Sequence, residues 1–316
     1  MASRKRPTAS LFTVLLAFGA NIFVALAKTI AAVLTGSASM VAEAAHSWAD
    51  AGNEIFLIKA ERAASRPRDE SHPGGYGRDA YVWSLFAAVG LFTAGAVVSI
   101  MHGVNQLFSH EHETDYTVNY VVLAVAFVFE GISFLQSFRQ ARQGASRRGT
   151  STVDHVLTTS NPTLRAVFAE DSAALIGLLL AFLGVLLHQL TGNAVWDALG
   201  SILIGLLLGL VAFVLIERNR RFLVGVEGSP RVQQVALSAI LDRAEVDKVT
   251  YLHLEYVGPE SLYLVAAVDL VGDDSESDVA ARLQSIERSI EESPHIAEAV
   301  LTLSRPGAPA LTTASL

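Results

Sequence analysis

Long apolar segments alternate with short polar segments from the N-terminal region to about residue 216. Each apolar segment is close to the roughly 20 residues that a helix needs to cross the hydrocarbon core of a bilayer. Six such segments are predicted, at about 10–34, 38–60, 80–107, 117–138, 163–189 and 194–216. The pattern therefore predicts an all-α membrane domain of six transmembrane helices.

Beyond about residue 231 the apolar segments become shorter and their period changes. The pattern predicts a helix, two strands, an amphipathic helix and a last strand, over 231–243, 249–257, 261–271, 276–292 and 296–304. In the first strand, strict alternation places Val249 on the face opposite Leu252 and Leu254. The order α-β-β-α-β predicts a small cytosolic α+β domain of the ferredoxin-like type.

These patterns divide the chain into three parts. We expect the membrane domain over 1–222, the ferredoxin-like domain over 223–305 and a disordered tail over 306–316. The polar stretch 143–162 is typical of a flexible loop, and Pro162 suits the first turn of the fifth membrane helix.

Composition supports a membrane protein and excludes several site types. Of the 316 residues, 51% are hydrophobic and only 17% are charged, which is too apolar for an ordinary soluble domain. The chain has no cysteine, so a metal would be held by His, Asp, Glu, Asn or water. The net charge of −8 and the absence of a basic groove exclude nucleic acid as a partner.

Loop charges predict the orientation in the lipid bilayer. Most lysines and arginines lie in the N-terminal segment and in 59–79, 139–165 and 217–222, and none lies in 35–37, 108–116 or 190–193. By the positive-inside rule, both termini are expected in the cytosol. Because the first apolar segment continues past a signal-like start to Leu34, we expect direct insertion into a plasma or bacterial inner membrane.

The second predicted span carries an unusual set of polar residues. Glu43, His46, Asp50 and Asn53 follow one another at intervals of three, four and three residues, which places them on one helical face. Ionisable groups inside a membrane are expensive and mark functional candidates. An imidazole and a carboxylate one turn apart, as in His46 and Asp50, suit zinc and related divalent metals, although a His–Asp hydrogen bond that only ties helices together is the alternative.

Other predicted spans also contain charges. Glu170 and Asp171 are adjacent acids in the fifth span, and burying both requires a counter-ion or protonation, which a divalent cation would supply. Glu130 in the fourth span either pairs with a cation on another helix or lines an aqueous path. Lys28 in the first span is expected to snorkel or to pair with an acid.

Four segments resemble motifs of the cation diffusion facilitator family, in the order and spacing found there, and the resemblance covers about residues 10–305. They are Gly36-Ser37-Ala38-Ser39 with Glu43, His46, Asp50 and Asn53; Arg66-Pro67-Arg68-Asp69-Glu70-Ser71-His72-Pro73 with Gly75-Tyr76-Gly77-Arg78; Asn161-Pro162 leading to Glu170-Asp171; and Trp196-Asp197-Ala198-Leu199-Gly200-Ser201. The resemblance implies a homodimeric metal/proton antiporter with six spans per subunit and a cytosolic ferredoxin-like domain that contributes to dimerisation.

The resemblance also implies a central metal site between the second and fifth helices. His46 and Asp50 match the second-helix pair in the form similar to zinc-selective members, and Asp171 matches one fifth-helix position. Val167 stands where many relatives have a further ligand and cannot coordinate a metal. The candidates for the fourth position are Glu170, Asn53 and water.

Two exposed segments are weaker candidates. Asp69 and His72 match two ligands of a peripheral metal site seen in some relatives, with Tyr76 where a further histidine would be. The stretch 110–115 contains two histidines and three acids, but its composition favours a solvated loop.

The expected function is efflux of a divalent cation by proton antiport with alternating access. Zinc is the expected substrate, with manganese, iron and cobalt as alternatives, and no resident cofactor is expected. A membrane metal-binding sensor or scaffold without transport is the alternative function. An intramembrane metallohydrolase is disfavoured because the chain has no His-Glu-x-x-His arrangement, so the protein is not expected to be an enzyme.

Overall fold

The computed structural model describes residues 11–108 and 116–313, with side chains from residue 18 onward. The basic residues 4–6 and the stretch 110–115, for which a solvated loop was predicted, lie outside the described residues. The chain divides into two compact units, the first formed by Met1–Lys59 and Trp83–Arg218 and the second by Ala60–Val82 and Asn219–Leu316.

The first unit is helical. Its helices, some of which extend into the second unit, are α1 Leu11–Thr35, α2 Ala38–Ala64, α3 Asp79–Ala87, α4 Thr93–Phe108, α5 Tyr116–Arg148, α6 Thr152–Thr158, α7 Pro162–Thr191 and α8 Val195–Val224. A π-helical turn, Ala88–Phe92, joins α3 to α4 into one continuous helix. As predicted, α7 begins at Pro162, and the Asn161 side chain caps it by accepting a hydrogen bond from the Leu164 amide at 3.1 Å.

Within the described residues, five helices are long and apolar enough to cross a membrane, which indicates an integral membrane protein. They are Phe18–Thr35, Asp79–Phe108, Tyr116–Arg148, Pro162–Thr191 and Val195–Val224. The remaining predicted span is α2, which has 27 residues but contains Glu43, Asp50 and Glu54. Its length suits a span, whereas its hydropathy is lowered by the charges that make it a functional candidate.

The prediction of a flexible loop over 143–162 was wrong for most of its length. Helix α5 continues to Arg148, and α6 follows after three residues. Ser151 caps α6 by accepting a hydrogen bond from the Asp154 amide, which satisfies one of the unpaired N–H groups of the first turn. The polar composition of this stretch led to the prediction of a loop. Polar residues also occur in helix caps and on exposed helix surfaces, as they do here.

The start of α2 is anchored to α8. The buried carboxylate of Asp197, in the first turn of α8, accepts hydrogen bonds from the Ser37 hydroxyl at 2.9 Å and from the Ser39 amide at 3.2 Å. The Ala38 amide also donates to Asp197. These contacts satisfy the unpaired N–H groups at the N-terminus of α2 and place a negative charge at the positive end of its dipole.

Small residues bring α4 and α8 into close contact. A Cβ atom added at Gly103 would lie 2.7 Å from the Ala198 carbonyl oxygen, and one at Gly205 would lie 2.9 Å from the Ala96 carbonyl oxygen. The Ser201 hydroxyl donates to the Ser99 carbonyl oxygen at 2.8 Å. Close backbone approach of this kind is how membrane helices gain packing and interhelical hydrogen bonds.

The second unit contains a mixed α+β domain. Its elements are α9 Pro230–Leu241, β1 Val246–Gly258, β2 Ser261–Leu270, α10 Glu276–Glu291 and β3 Ile296–Leu303, which confirms the predicted order. The sheet order is β1-β2-β3, with β1 antiparallel and β3 parallel to the central β2. A ferredoxin-like sheet has a further strand before the first helix, whereas three strands are found in the described part of this domain.

Strict alternation in β1 was wrong at one point. The pairing of β1 with β2 shifts register between Val249 and Tyr251. This irregularity changes the phase of the alternation, so Val249 joins Leu252 and Leu254 in the buried core while Tyr251 is 52% exposed.

The tail differs from the disorder expected over 306–316. The structure describes it to residue 313, and the Leu311 amide donates a hydrogen bond to the Val249 carbonyl oxygen at 2.7 Å. The Leu311 side chain packs against the core of the domain. The Gln234 side-chain amide also donates a hydrogen bond to the Thr313 carbonyl oxygen at 3.1 Å, so contacts with the domain hold a segment whose composition predicts disorder.

Candidate metal centre

The polar face of α2 is buried inside the first unit. The exposed fraction is 0% for Glu43, 1% for His46, 5% for Asp50 and 1% for Asn53. The spacing of these residues therefore places them toward neighbouring helices, as predicted from the helical period. Polar groups that are buried without bonding partners require a physical explanation.

His46 and Asp50 lie side by side with unused bonding capacity. Their Nδ1 and Oδ1 atoms are 3.4 Å apart, beyond the usual range of a nitrogen–oxygen hydrogen bond. Neither ring nitrogen of His46 has a hydrogen-bond partner, and Asp50 Oδ1 has none. In this conformation the two residues are not joined by a hydrogen bond, and both can offer lone pairs to a cation.

Asp171, on α7, is positioned by α5. Its Oδ1 atom accepts a hydrogen bond from the Ser133 hydroxyl at 2.8 Å, whereas its buried Oδ2 atom has no partner. The serine therefore orients the carboxylate and leaves one oxygen available. No motif in the sequence identified Ser133, because its contact with Asp171 joins two different helices.

Glu170 and Asn53 contact each other across α7 and α2. The Asn53 side-chain amide donates to Glu170 Oε2 at 2.5 Å, and the Asn53 side-chain oxygen has no partner. Glu170 thus holds α2 against α7, while Asn53 retains an oxygen donor. Val167 packs against the apolar core.

The candidate ligands form two half-sites. Across the described ranges, no group of three His, Asp or Glu side chains is placed to hold one metal ion. We call the candidate pair His46 and Asp50 on α2 one half-site and the candidate Asp171 on α7 the other. An imidazole together with carboxylate oxygens is a set of donors that fits zinc and other first-row divalent metals.

A buried ion pair lies beside the α2 half-site. Lys28 Nζ is 2.8 Å from Glu43 Oε2 and 3.9 Å from Glu130 Oε1. The expectation that Lys28 pairs with an acid is confirmed, and Glu130 pairs with a cation on another helix. Another acid of α2, Glu54, accepts a hydrogen bond from the side-chain amide of Asn21 at 2.8 Å. In the sequence, Glu54 could have been identified as a further residue of this polar face because it lies one helical turn beyond Asp50.

The predicted peripheral ligands form a hydrogen-bonded turn. Asp69 accepts hydrogen bonds from the Tyr76 hydroxyl at 2.7 Å, the Ser71 hydroxyl at 2.7 Å and the His72 amide at 2.8 Å. The bonds from Tyr76 and Ser71 hold the pKa of Asp69 below its usual range, and the bond to Asp69 raises the pKa of Tyr76. Both Asp69 oxygens are therefore engaged within the loop.

Sequence comparison identifies relatives of the helical unit. A family model described as the cation efflux transmembrane domain matches residues 14–224. The chain is 34% identical over 233 residues to metal tolerance protein C4 of Arabidopsis thaliana, covering 74% of this chain and 51% of the plant protein.

Two further relatives differ in how much of them is covered. A mitochondrial proton-coupled zinc antiporter of Xenopus laevis is 37% identical over 207 residues, which are 66% of this chain and 36% of the frog protein. An uncharacterized transporter of Methanocaldococcus jannaschii is 25% identical over 277 residues, 84% of this chain and 90% of the archaeal one. The chain thus spans about half or less of the plant and animal relatives.

Proposed function

The chain belongs to the cation diffusion facilitator family, and on that premise we propose that it transports a divalent metal cation, Zn²⁺ first, in exchange for protons. The observation that carries the proposal is the set of buried donor atoms without partners on α2 and α7, supplied by His46, Asp50 and Asp171. Polar atoms inside a membrane unit are retained where they serve a substrate path.

The proposed site joins the two half-sites around one ion. His46 and Asp50 bind from α2, and Asp171 binds from α7 with the oxygen that Ser133 leaves available. Asn53 is the preferred fourth ligand because its side-chain oxygen has no partner, whereas Glu170 is bonded to Asn53.

Proton coupling follows from competition for the same atoms. Metal ligands bind in their deprotonated forms, so protonation of the imidazole or a carboxylate expels the ion. In the proposed cycle the site loads from the cytosol, the helices rearrange, and protons from the other side release the metal.

The topology belongs to the same proposal. We take α2 as a sixth span, since its 27 residues are long enough and its charges line the site. The loop charges support a cytosolic location for both termini. The family supports a homodimer, in which a ferredoxin-like C-terminal domain contributes to the contact between subunits.

Zinc uptake into proteoliposomes carrying a pH gradient tests the function. We expect gradient-dependent uptake by the native chain. Asp50→Ala and Asp171→Ala should each lose at least tenfold in uptake rate, because removing a residue that only hydrogen-bonds to a metal ligand already costs about 10–100-fold in affinity or activity. Asp154→Ala, which removes an exposed carboxylate on α6, is the matched control and should retain uptake. Zinc binding without gradient-driven uptake would instead support the sensor function.

Zinc affinity should fall as pH falls. Each proton that must be displaced from a ligand weakens apparent binding by up to about tenfold per pH unit below the pKa of that ligand. Calorimetric titration of the purified protein with zinc at several pH values measures the slope. An affinity that is independent of pH would contradict the competition between protons and metal.

A further inference from the structure

Three helices of the first unit contribute to one buried charge cluster. Lys28 on α1 and Glu43 on α2 are both 0% exposed, and their Nζ and Oε2 atoms are 2.8 Å apart. Glu130 on α5 lies 3.9 Å from the same ammonium. A buried ammonium is stable only when it is paired, so the two carboxylates account for its place in the bundle.

A fourth helix closes the cluster with a glycine. A Cβ atom added at Gly177 of α7 would lie 2.5 Å from Glu43 Oε1, so a side chain there would displace the carboxylate. Glu43 Oε1 has no hydrogen-bond partner. Glu43 therefore binds Lys28 with one oxygen and directs the other to the surface of α7.

The cluster is close to the candidate ligands on α2. Glu43 precedes His46 by three residues and Asp50 by seven, which corresponds to about 4.5 Å and 10.5 Å along the helix axis. The charge of Lys28 acts electrostatically on both His46 and Asp50. A dication at these residues would be repelled by the ammonium and attracted by Glu43.

We propose that Lys28, held by Glu43, sets the affinity of the site formed by His46, Asp50 and Asp171 for divalent cations. The proposal rests on the proposed transport function. The fixed ammonium opposes metal binding enough for the ion to leave, and Glu43 offsets that repulsion enough for the ion to enter. Lys28 is thus a positioning and affinity-setting residue that does not itself bind the metal.

A double-mutant cycle on the ion pair tests this role. Lys28→Met keeps the length of the side chain and removes its charge, so zinc should bind at least about tenfold more tightly. Glu43→Gln keeps the shape of the carboxylate and leaves the ammonium uncompensated, so zinc should bind at least about tenfold more weakly. The double variant removes both charges and should bind within about threefold of the native chain.

Zinc calorimetry and proteoliposome flux provide the readouts. The tighter binding of Lys28→Met should be accompanied by slower turnover at saturating zinc, because release becomes harder. A merely structural ion pair would instead destabilise both single variants and shift zinc affinity in one direction, which would overturn the proposal. Equal affinity in all four proteins would overturn it as well.

The arms of the experiment separate this proposal from the proposed function. A native chain that neither binds nor transports zinc would remove the function, whereas native binding and flux with unchanged variants would remove only the role of Lys28. If Lys28→Met does not fold, Glu43→Gln and the double variant decide: the former must weaken binding and the latter must restore it. Size-exclusion chromatography of each variant confirms folding before the titrations.

Discussion

Three buried polar side chains of the helical unit, those of Asp171, Asn53 and Glu43, form a hydrogen bond with one atom and leave another atom without a partner. Asp171 accepts one hydrogen bond from Ser133 and keeps one oxygen without a partner. Asn53 donates to Glu170 and keeps its oxygen, and Glu43 binds Lys28 with one oxygen and keeps the other. For the proposed ligands Asp171 and Asn53, a hydrogen bond at one atom would orient the other atom toward a cation.

Gly177→Ala tests the placement of Glu43. The added methyl group would meet Glu43 Oε1 at 2.5 Å and push the carboxylate away from Lys28. Overpacking of this kind costs about 1–3 kcal/mol, more than the 0.5–1 kcal/mol, roughly, that alanine gains over glycine in a helix. We therefore expect a lower thermal unfolding midpoint and weaker zinc flux.

Gly131→Ala is the matched control for this change. A Cβ atom at Gly131 on α5 meets nothing within 4 Å. Only the helix-propensity gain then remains, so the midpoint should stay unchanged or rise. A fall of equal size in both variants would show that the crowding of Glu43 is not the cause.

Among the helices, α2 carries Glu43, His46, Asp50 and Asn53 through the buried interior. Its start is stabilised by the Asp197 carboxylate. Gly184 leaves room for Ser39 there, because a Cβ atom at Gly184 would lie 2.8 Å from the Ser39 hydroxyl. The cap and the tight packing fix where α2 begins, and the helical period then fixes where its polar face points.

Asp197→Ala should therefore destabilise the protein strongly. The change removes the acceptor of the Ser37 hydroxyl and of two backbone amides, and buried donors left unpaired cost about 1–3 kcal/mol each. Asp197→Asn, which keeps one side-chain oxygen, should lose less. Thermal unfolding in detergent, followed by circular dichroism, measures both.

Asn193→Ala provides the comparison for an exposed cap. The Asn193 side chain accepts a hydrogen bond from the Val195 amide at the start of α8, in a solvent-exposed position. Its loss should reduce stability by about 1 kcal/mol or less. Equal destabilisation of Asn193→Ala and Asp197→Ala would contradict the view that burial of Asp197 makes its hydrogen bonds more important for stability.

For the molecule as a whole, the second unit is assembled from two distant parts of the chain. The segment that follows α2 joins the C-terminal domain in one compact unit. Arg78 forms an ion pair with Glu255 of β1, and Arg68 forms one with Glu298 of β3 at 3.5 Å. Such exposed pairs contribute only about 0–1 kcal/mol each to stability. Close packing between backbones is therefore expected to contribute more to holding this segment against the domain.

Gly77→Ala tests that backbone packing. A Cβ atom at Gly77 would lie 2.8 Å from the Gly258 Cα atom, and the Val257 carbonyl group is also in contact. Because a backbone cannot move aside as a flexible side chain can, we expect the free energy of unfolding to fall by about 1–3 kcal/mol. Hydrogen exchange should show weaker protection at the end of β1.

Gly74→Ala is the control in the same segment. A Cβ atom at Gly74 meets nothing within 4 Å. This variant should retain native protection of β1, because nothing has to move. Equal protection of β1 in Gly77→Ala and the native chain would show that the segment is not seated by this contact.

The sequence by itself determined the features that depend on local period. Apolar segments of bilayer length predicted the helices, alternation predicted the strands of the C-terminal domain, and intervals of three and four residues placed the polar groups of α2 on one buried face. The presence of these helices and strands and the burial of that face are confirmed, because neighbours along a chain share the geometry of their own element.

Only the tertiary structure decided which groups meet. The partners of Asp171, Asn53 and Lys28 lie 38, 117 and 15 residues away along the chain, and the cap of α2 comes from α8. The irregularity in β1 likewise depends on its pairing with β2, which places Val249 in the core. Contacts between distant residues follow from how elements pack, and no local pattern encodes that packing.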